Sequence, residues 1–291
     1  MYAPGTALGG MAVSLGDVTF GLVDAAGVAW RVSAEDGLQG WDSPEVRSQL
    51  AERQGDHGSW AGPVYLGERP ITLAGLIEAP DKARLDEAME QLRAAAALTD
   101  TPLVVYESIP KRALVRRSGK VLTTYITDRQ AKFSVLVTAA DPRRYEVDEQ
   151  SGDTRLPSTT GGLAFPVTFP VTFSGVTVAG EIRADNAGTF ETRPVLVIDG
   201  PVNAPSVIAQ YPNGSVRQLA YSQNLATGDQ LVIDTDAHTV LLNGDVSRRR
   251  FLTAPAGWPT IPAKSSVLIQ FRAAAYNANA LLTARWRSAW M

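Results

Sequence analysis

The chain's only imidazoles are His57 and His238. His57 stands in "GDHGSW" beside Asp56 and Ser59, and serine, histidine and aspartate are the residue types of nucleophilic acyl transfer. That chemistry needs one ring nitrogen against the hydroxyl and the other against the carboxylate. Immediate neighbours on a glycine-punctuated segment seldom reach that geometry, and no G-x-S-x-G elbow occurs anywhere in the sequence. Asp234 and Asp236 in "DTDAH" have a calcium-like spacing. The remaining positions of a calcium loop are missing, and a hairpin turn accounts for both acids. The two histidines fall in different halves of the chain, so they offer no imidazole pair for a metal. There is no cysteine, which removes thiolate catalysis, disulfides and cysteine-ligated metal sites. Neither a Gly-rich dinucleotide turn nor a phosphate-binding P-loop follows a strand. The expectation is a protein that is not an enzyme and uses no metal or cofactor.

Two basic runs remain. One is "KRALVRRSGK", with Lys111, Arg112, Arg116, Arg117 and Lys120; the other is "SRRRF", with Arg248, Arg249 and Arg250. They read either as solvated strand and turn or as a contact with DNA or an acidic partner. The net charge of −3 removes the electrostatic case for a dedicated nucleic-acid binder. Trp41, Trp60, Trp258, Trp286 and Trp290 are candidates for sugar stacking, although their alternating or Pro- and Gly-flanked settings suit a core or an interface better. A third pattern is "FPVTFPVTF". Read at period two, Phe165, Phe169 and Phe173 share a face with Val167 and Val171, while Pro166 and Pro170 lack an N–H and exclude a central strand. An edge strand of its own domain, or an extended clasp with the phenylalanines in a subunit or domain interface, satisfies both facts.

Hydrophobic residues make up 45% of the 291 positions, enough for about two domains. No apolar window is long enough to span a bilayer, and the N-terminus lacks a signal-peptide pattern, so synthesis in the cytoplasm without membrane insertion is expected. The runs from Val13 to Val32 alternate like a hairpin or meander. "DSPEVRSQLAERQGDHGSWAG" reads as a long surface loop, and "PVYLGERPITLAGLIEAP" as a hairpin about Gly67 and Glu68 that puts Val64, Leu66, Ile71 and Leu73 on common faces. One helix is predicted, capped by Asp81, with Leu85, Met89, Leu92 and Ala96 on one stripe. Further alternating runs follow, with a turn at Ser118–Gly119. Polar "EVDEQSGDTRLPSTTGG" carries linker signals. The second half reads as strand after strand, with turns at Asn213–Gly214, Gly228–Asp229 and Asn243–Gly244, hence a β-sandwich whose interior takes Leu231, Ile233, Val240 and Leu242.

In order and spacing, several segments resemble the siphophage distal tail protein family, in the variety often seen in phages of actinobacteria. They are "YLGERPITLAGLI" with the "DKARLDEAMEQLRAAA" helix, "AADPRRY", "GGLAFPVTFPVTF", "NAGTFETRPVLVIDGPVNAPSV", "LATGDQLVIDTDAHTVLLNG" and "ARWRSAW". The resemblance implies a mainly β chain: an N-terminal β-sandwich-like domain with a helix and a β-hairpin over 1–147, a linker with the F-P-V-T-F segment over 148–180, and a C-terminal galectin-like β-sandwich over 181–291. It also implies a hexameric ring at the distal end of the virion's tail, with the tail tube protein on one face and a tail-tip hub protein on the other. Lys111, Arg112, Arg116, Arg117 and Lys120 would then meet a partner or DNA passing through the channel. The competing expectation is a carbohydrate-binding adhesin for host wall polysaccharide.

Overall fold

A computed structural model describes residues 12–33, 36–160, 176–253 and 255–291. The chain divides into two compact units, Met1–Val147 with Met291, and Asp148–Trp290. Both are built almost wholly of antiparallel strands, so the chain is mainly β.

The first unit runs β1 (Val13–Leu15), β2 (Val18–Phe20), β3 (Ala29–Val32), β4 (Leu38–Gln39), β5 (Val46–Glu52), β6 (Ser59–Leu66), β7 (Arg69–Glu78), helix α1 (Lys82–Ala95), β8 (Thr101–Val105), β9 (Lys111–Arg117), β10 (Leu122–Thr127), β11 (Gln130–Ala139) and β12 (Arg144–Glu146). Its strands order as β2-β1-β8-β9-β11-β7-β3. The spine is the β7–β11 pair, in register over ten residues from Arg69 opposite Ala139 to Glu78 opposite Gln130. Alternation along both strands sends Ile71, Leu73, Ile77, Phe133, Val135 and Val137 into one core with Val13, Leu15, Phe20, Trp30, Leu103, Val105 and Val115. Phe20 sits at its centre, edge-on to Trp30 at 5.6 Å and 5.4 Å from Phe133. Gly75 lets β3 approach, since a Cβ there would lie 1.9 Å from the carbonyl oxygen of Arg31.

Helix α1 covers this core as its sequence pattern predicts. The Asp81 side chain accepts the Arg84 N–H at 2.9 Å, and Leu85, Ala88, Met89 and Leu92 are buried. Two local expectations fail. Ser118–Gly119 does not close a hairpin; β9 and β10 lie along the same edge of β11, at Val137–Thr138 and at Gln130–Ser134, and both turn N–H groups donate to the Leu136 carbonyl. Nor do β6 and β7 pair about Gly67: β7 pairs with β11, β3 and β4, while β6 pairs only with β5. Ile71 and Leu73 are buried and Val64 is exposed, so the core draws in β7 alone.

The second unit runs β13 (Gln150–Arg155), β14 (Ser158–Thr160), β15 (Val176–Val178), β16 (Glu181–Asn186), β17 (Val195–Asp199), β18 (Ser206–Gln210), β19 (Val216–Ala220), β20 (Gln230–Asp234), β21 (Thr239–Leu242), β22 (Val246–Ser247), a 3-10 turn at Arg249–Phe251, β23 (Ser265–Arg272), β24 (Leu281–Trp286) and β25 (Ala289–Trp290). One sheet orders β13-β24-β17-β20-β21-β22 and a second β16-β23-β18-β19. Leu196, Ile198, Leu231, Ile233, Val240 and Leu282 of the first meet Ile182, Val207, Val267, Ile269 and Phe271 of the second in one core. That is a two-layer sandwich. Leu242 packs against this core while staying partly exposed. Residues 150–155, expected as linker, instead form the edge strand β13, paired residue for residue with β24 from Gln150 opposite Trp286 to Arg155 opposite Leu281. The F-P-V-T-F segment with Phe165, Phe169 and Phe173 lies outside the described residues, between the paired strands β14 and β15.

Candidate functional site

The segment from Asp42 to Gly62, expected as a loop, contains β5 and most of β6, paired as a two-stranded ribbon separate from every other sheet. Its strands are polar enough to hide their alternation, and their pairing is purely cross-strand: Val46 faces Leu66, Ser48 faces Val64, Leu50 faces Ala61 and Ala51 faces Trp60. A bulge between Ser48 and Leu50 breaks the register. Arg53 lies 4.5 Å over the Trp60 ring near the tip, where Gly55 and Gly58 take the left-handed φ values of +87° and +88° that the turn demands. All seven residues of β5 are exposed, as are six of the eight in β6.

An isolated two-stranded ribbon is marginal in water, and this one also exposes large apolar side chains. Leu50, Trp60, Val64 and Tyr65 are each more than 60% exposed. Nothing within the described residues covers them. A ribbon with both faces bare and apolar groups along its length is suited to docking on another protein surface. His57 sits at the tip. Its backbone N–H is bound by Asp56 Oδ1 at 2.7 Å, and it is exposed together with Ser59 and Asp56. No group of three or more His, Cys, Asp or Glu able to hold a metal occurs among the described residues.

The basic run of β9 does not form a uniform cationic face. Lys111 pairs with Glu107, and Arg116 makes a bidentate contact with Asp100, Nη2 to Oδ2 at 2.9 Å. The hydrogen bonds from Arg116 hold the Asp100 carboxyl below its ordinary range and Arg116 correspondingly above its own. Arg112 is half-buried, Arg117 partly exposed, and Lys120 exposed. On Glu107, burial pushes the carboxyl up, but hydrogen bonds from Lys111 and from Trp41 Nε1, with the nearby Lys111 and Arg144 charges, outweigh it and leave the group below its usual value.

Sequence reading missed Arg69. It is fully buried, with Nε donating to the Pro142 carbonyl at 2.8 Å and Nη1 to the carbonyls of Gly40 and Trp41. Desolvation, helped by the neighbouring Arg144 charge, lowers its pKa to about 10, still protonated at neutral pH. One guanidinium thus ties the start of β7 to two distant segments, something no local pattern signals. Trp41 and Trp286 are core residues, Trp60 belongs to the ribbon, and Trp258 is half-buried in the second unit. Asp234 is a turn acid: its Oδ1 accepts the N–H groups of Asp236 and Ala237.

No protein-family model matches the chain, and no curated protein does. Two solved structures share its fold. One is the Dit protein of phage SPP1, described as a paradigm of the hub adsorption apparatus in phages that infect Gram-positive bacteria. It has a TM-score of 0.60 at 12% identity, over 87% of this chain and 92% of that one. The other is a chain of the phage p2 baseplate in its activated conformation with Sr. Its TM-score is 0.50 at 11% identity, over 94% of this chain and 97% of that one. The likeness spans nearly the whole length of each.

Proposed function

We propose that this chain is a distal tail protein, a structural hub that joins the tail tube to the tail-tip proteins of a long-tailed, non-contractile phage. The observation that carries the proposal is the β5–β6 ribbon, whose exposed Leu50, Trp60, Val64 and Tyr65 need a second surface to cover them. A repeated head-to-tail contact between copies closes into a ring when its rotation permits, and the family resemblance supplies the number, six. The fold shared with the SPP1 hub protein supports the same reading. In this arrangement each ribbon lies on the neighbouring copy, so energy resides in interfaces and no catalytic group is needed.

The remaining roles follow from that frame. Phe165, Phe169 and Phe173 are assigned to a subunit or domain interface, on their one-sided sequence pattern. Arg117 and Lys120, with Arg116 held by Asp100, are assigned to contact with a tail partner or with DNA crossing the ring. The galectin-like description of the second unit is one of shape, and host attachment belongs to the assembled tip. Native mass spectrometry with negative-stain imaging of the purified chain tests the proposal, six-fold rings being the expected result. A chain that stays monomeric at about 100 µM, and stays so when co-expressed with its tail neighbours, would overturn it.

A further inference from the structure

The second unit carries a cleft of about 450 Å3, within the size range of small-ligand sites. It lies where the β20–β21 turn meets β19 and the 256–260 segment, and its wall is aromatic: the Trp258 and His238 rings stack at 4.5 Å and 19°. The turn holds His238 in the left-handed region at φ +54°, which fixes the imidazole against the indole.

Three arginines surround these rings, and they are not equivalent. Arg193 is neutralised by Asp236 at 3.1 Å and Glu191 at 3.5 Å. Arg217 has only neutral partners among the described residues: Nη1 donates to the Trp258 carbonyl at 2.9 Å and to Thr260 Oγ1 at 3.4 Å, and the guanidinium lies 5.5 Å over the Tyr211 ring. Tyr211 is itself anchored, its hydroxyl accepting the Thr260 N–H at 3.0 Å. Arg249 lies 5.8 Å from the centre of the Trp258 ring, also without a carboxylate partner. The cleft therefore has an aromatic wall, a carboxylate at Glu191, and two guanidinium groups, at the lining and beside Trp258, whose charge is left unmatched.

A pre-positioned cation with no internal counter-charge favours an anionic ligand. The small concave shape and the aromatic wall, with donors and acceptors interleaved, fit a sugar ring better than a flat protein epitope. From this geometry we infer that the cleft binds an acidic saccharide, one whose carboxylate or phosphate group meets Arg217 and Arg249 while its ring packs beside Trp258 and His238. This inference goes beyond the hub role and does not depend on it, because it concerns one copy and is read by ligand binding alone.

The test is isothermal titration of the full chain with four probes: hyaluronan tetrasaccharide for a uronate, glucose 1-phosphate for a sugar phosphate, maltotetraose as a neutral saccharide, and inorganic phosphate. Saturable binding of either acidic sugar, about tenfold or more tighter than maltotetraose, is expected, and the tighter of the two identifies the anion. Arg217→Gln and Arg249→Gln, both at exposed positions, should each weaken that binding about tenfold and leave the melting temperature unchanged. Equal affinity for maltotetraose would overturn anion recognition. Inorganic phosphate binding as well as glucose 1-phosphate would show an ion site only. No binding by either acidic sugar at about 10 mM, or binding that neither substitution alters, would overturn the assignment.

Discussion

Replacing Leu50 and Trp60 together by alanine separates a ribbon that docks on a neighbour from one that merely decorates the monomer. Trp60 is 65% exposed, and a buried aromatic side chain contributes about 200 Å2. Covering its exposed part removes about 130 Å2 from water, worth about 3 kcal/mol at about 25 cal/mol per Å2. Leu50 is 68% exposed and adds a little over about 1 kcal/mol on the same scale. The alanine methyls recover about 1 kcal/mol, so each contact between copies loses about 3 kcal/mol, roughly a hundredfold in its dissociation constant. Within one copy the same residues touch little, so the monomer's stability should change by no more than about 0.5 kcal/mol. Sedimentation velocity across a dilution series measures the first quantity and urea unfolding the second. Two results would refute the reasoning: an unchanged dissociation midpoint, or a loss of monomer stability as large as the loss of assembly.

Arg69→Ala should destabilise the first unit by about 3–5 kcal/mol, since it strands the carbonyls of Gly40, Trp41 and Pro142 without their buried donor; urea unfolding near the wild-type midpoint would remove Arg69 from the framework. Glu107 has a folded pKa below its ordinary value, so its contribution is present above the unfolded value of about 4.5 and is lost as pH falls through the folded one. Glu107→Gln should therefore be less stable than wild type at pH 7 and converge with it at low pH, as read by unfolding midpoints across a pH series; parallel curves would contradict this. Reversing Arg116 and Arg117 to glutamate should impair tail assembly or DNA ejection while the purified chain keeps its circular dichroism spectrum, and normal particles would remove β9 from the contact surface.

Much of the fold was legible because its causes are local. Helix α1 follows from the Asp81 cap and the Leu85, Met89, Leu92 stripe, both decided within a few turns of chain. The second unit's turns follow likewise: Asn243 and Gly244 both take positive φ, as a two-residue hairpin turn requires, and Gly214 and Gly228 do the same at theirs. The alternating Leu231, Ile233 and Val240 pointed inward because one face of a strand must be buried. Polar strands were harder. β13 and β5 carry little alternation because an edge strand or a free ribbon buries little, so composition made them look like linker and loop.

The sequence by itself thus determined the class of fold, the helix, the order of strands and the absence of cysteine chemistry, all of which depend on residue type and near-neighbour spacing. Tertiary structure alone decided which strands pair, that β6 leaves the core while β7 enters it, and that Arg69 is buried among carbonyls 28 to 73 residues away. It alone brought Arg217, His238 and Trp258 to one cleft. The physical reason is range: caps and turns are settled by a few bonds along the chain, whereas pairing, burial and the neutralisation of a charge depend on groups that meet only after the chain has closed on itself.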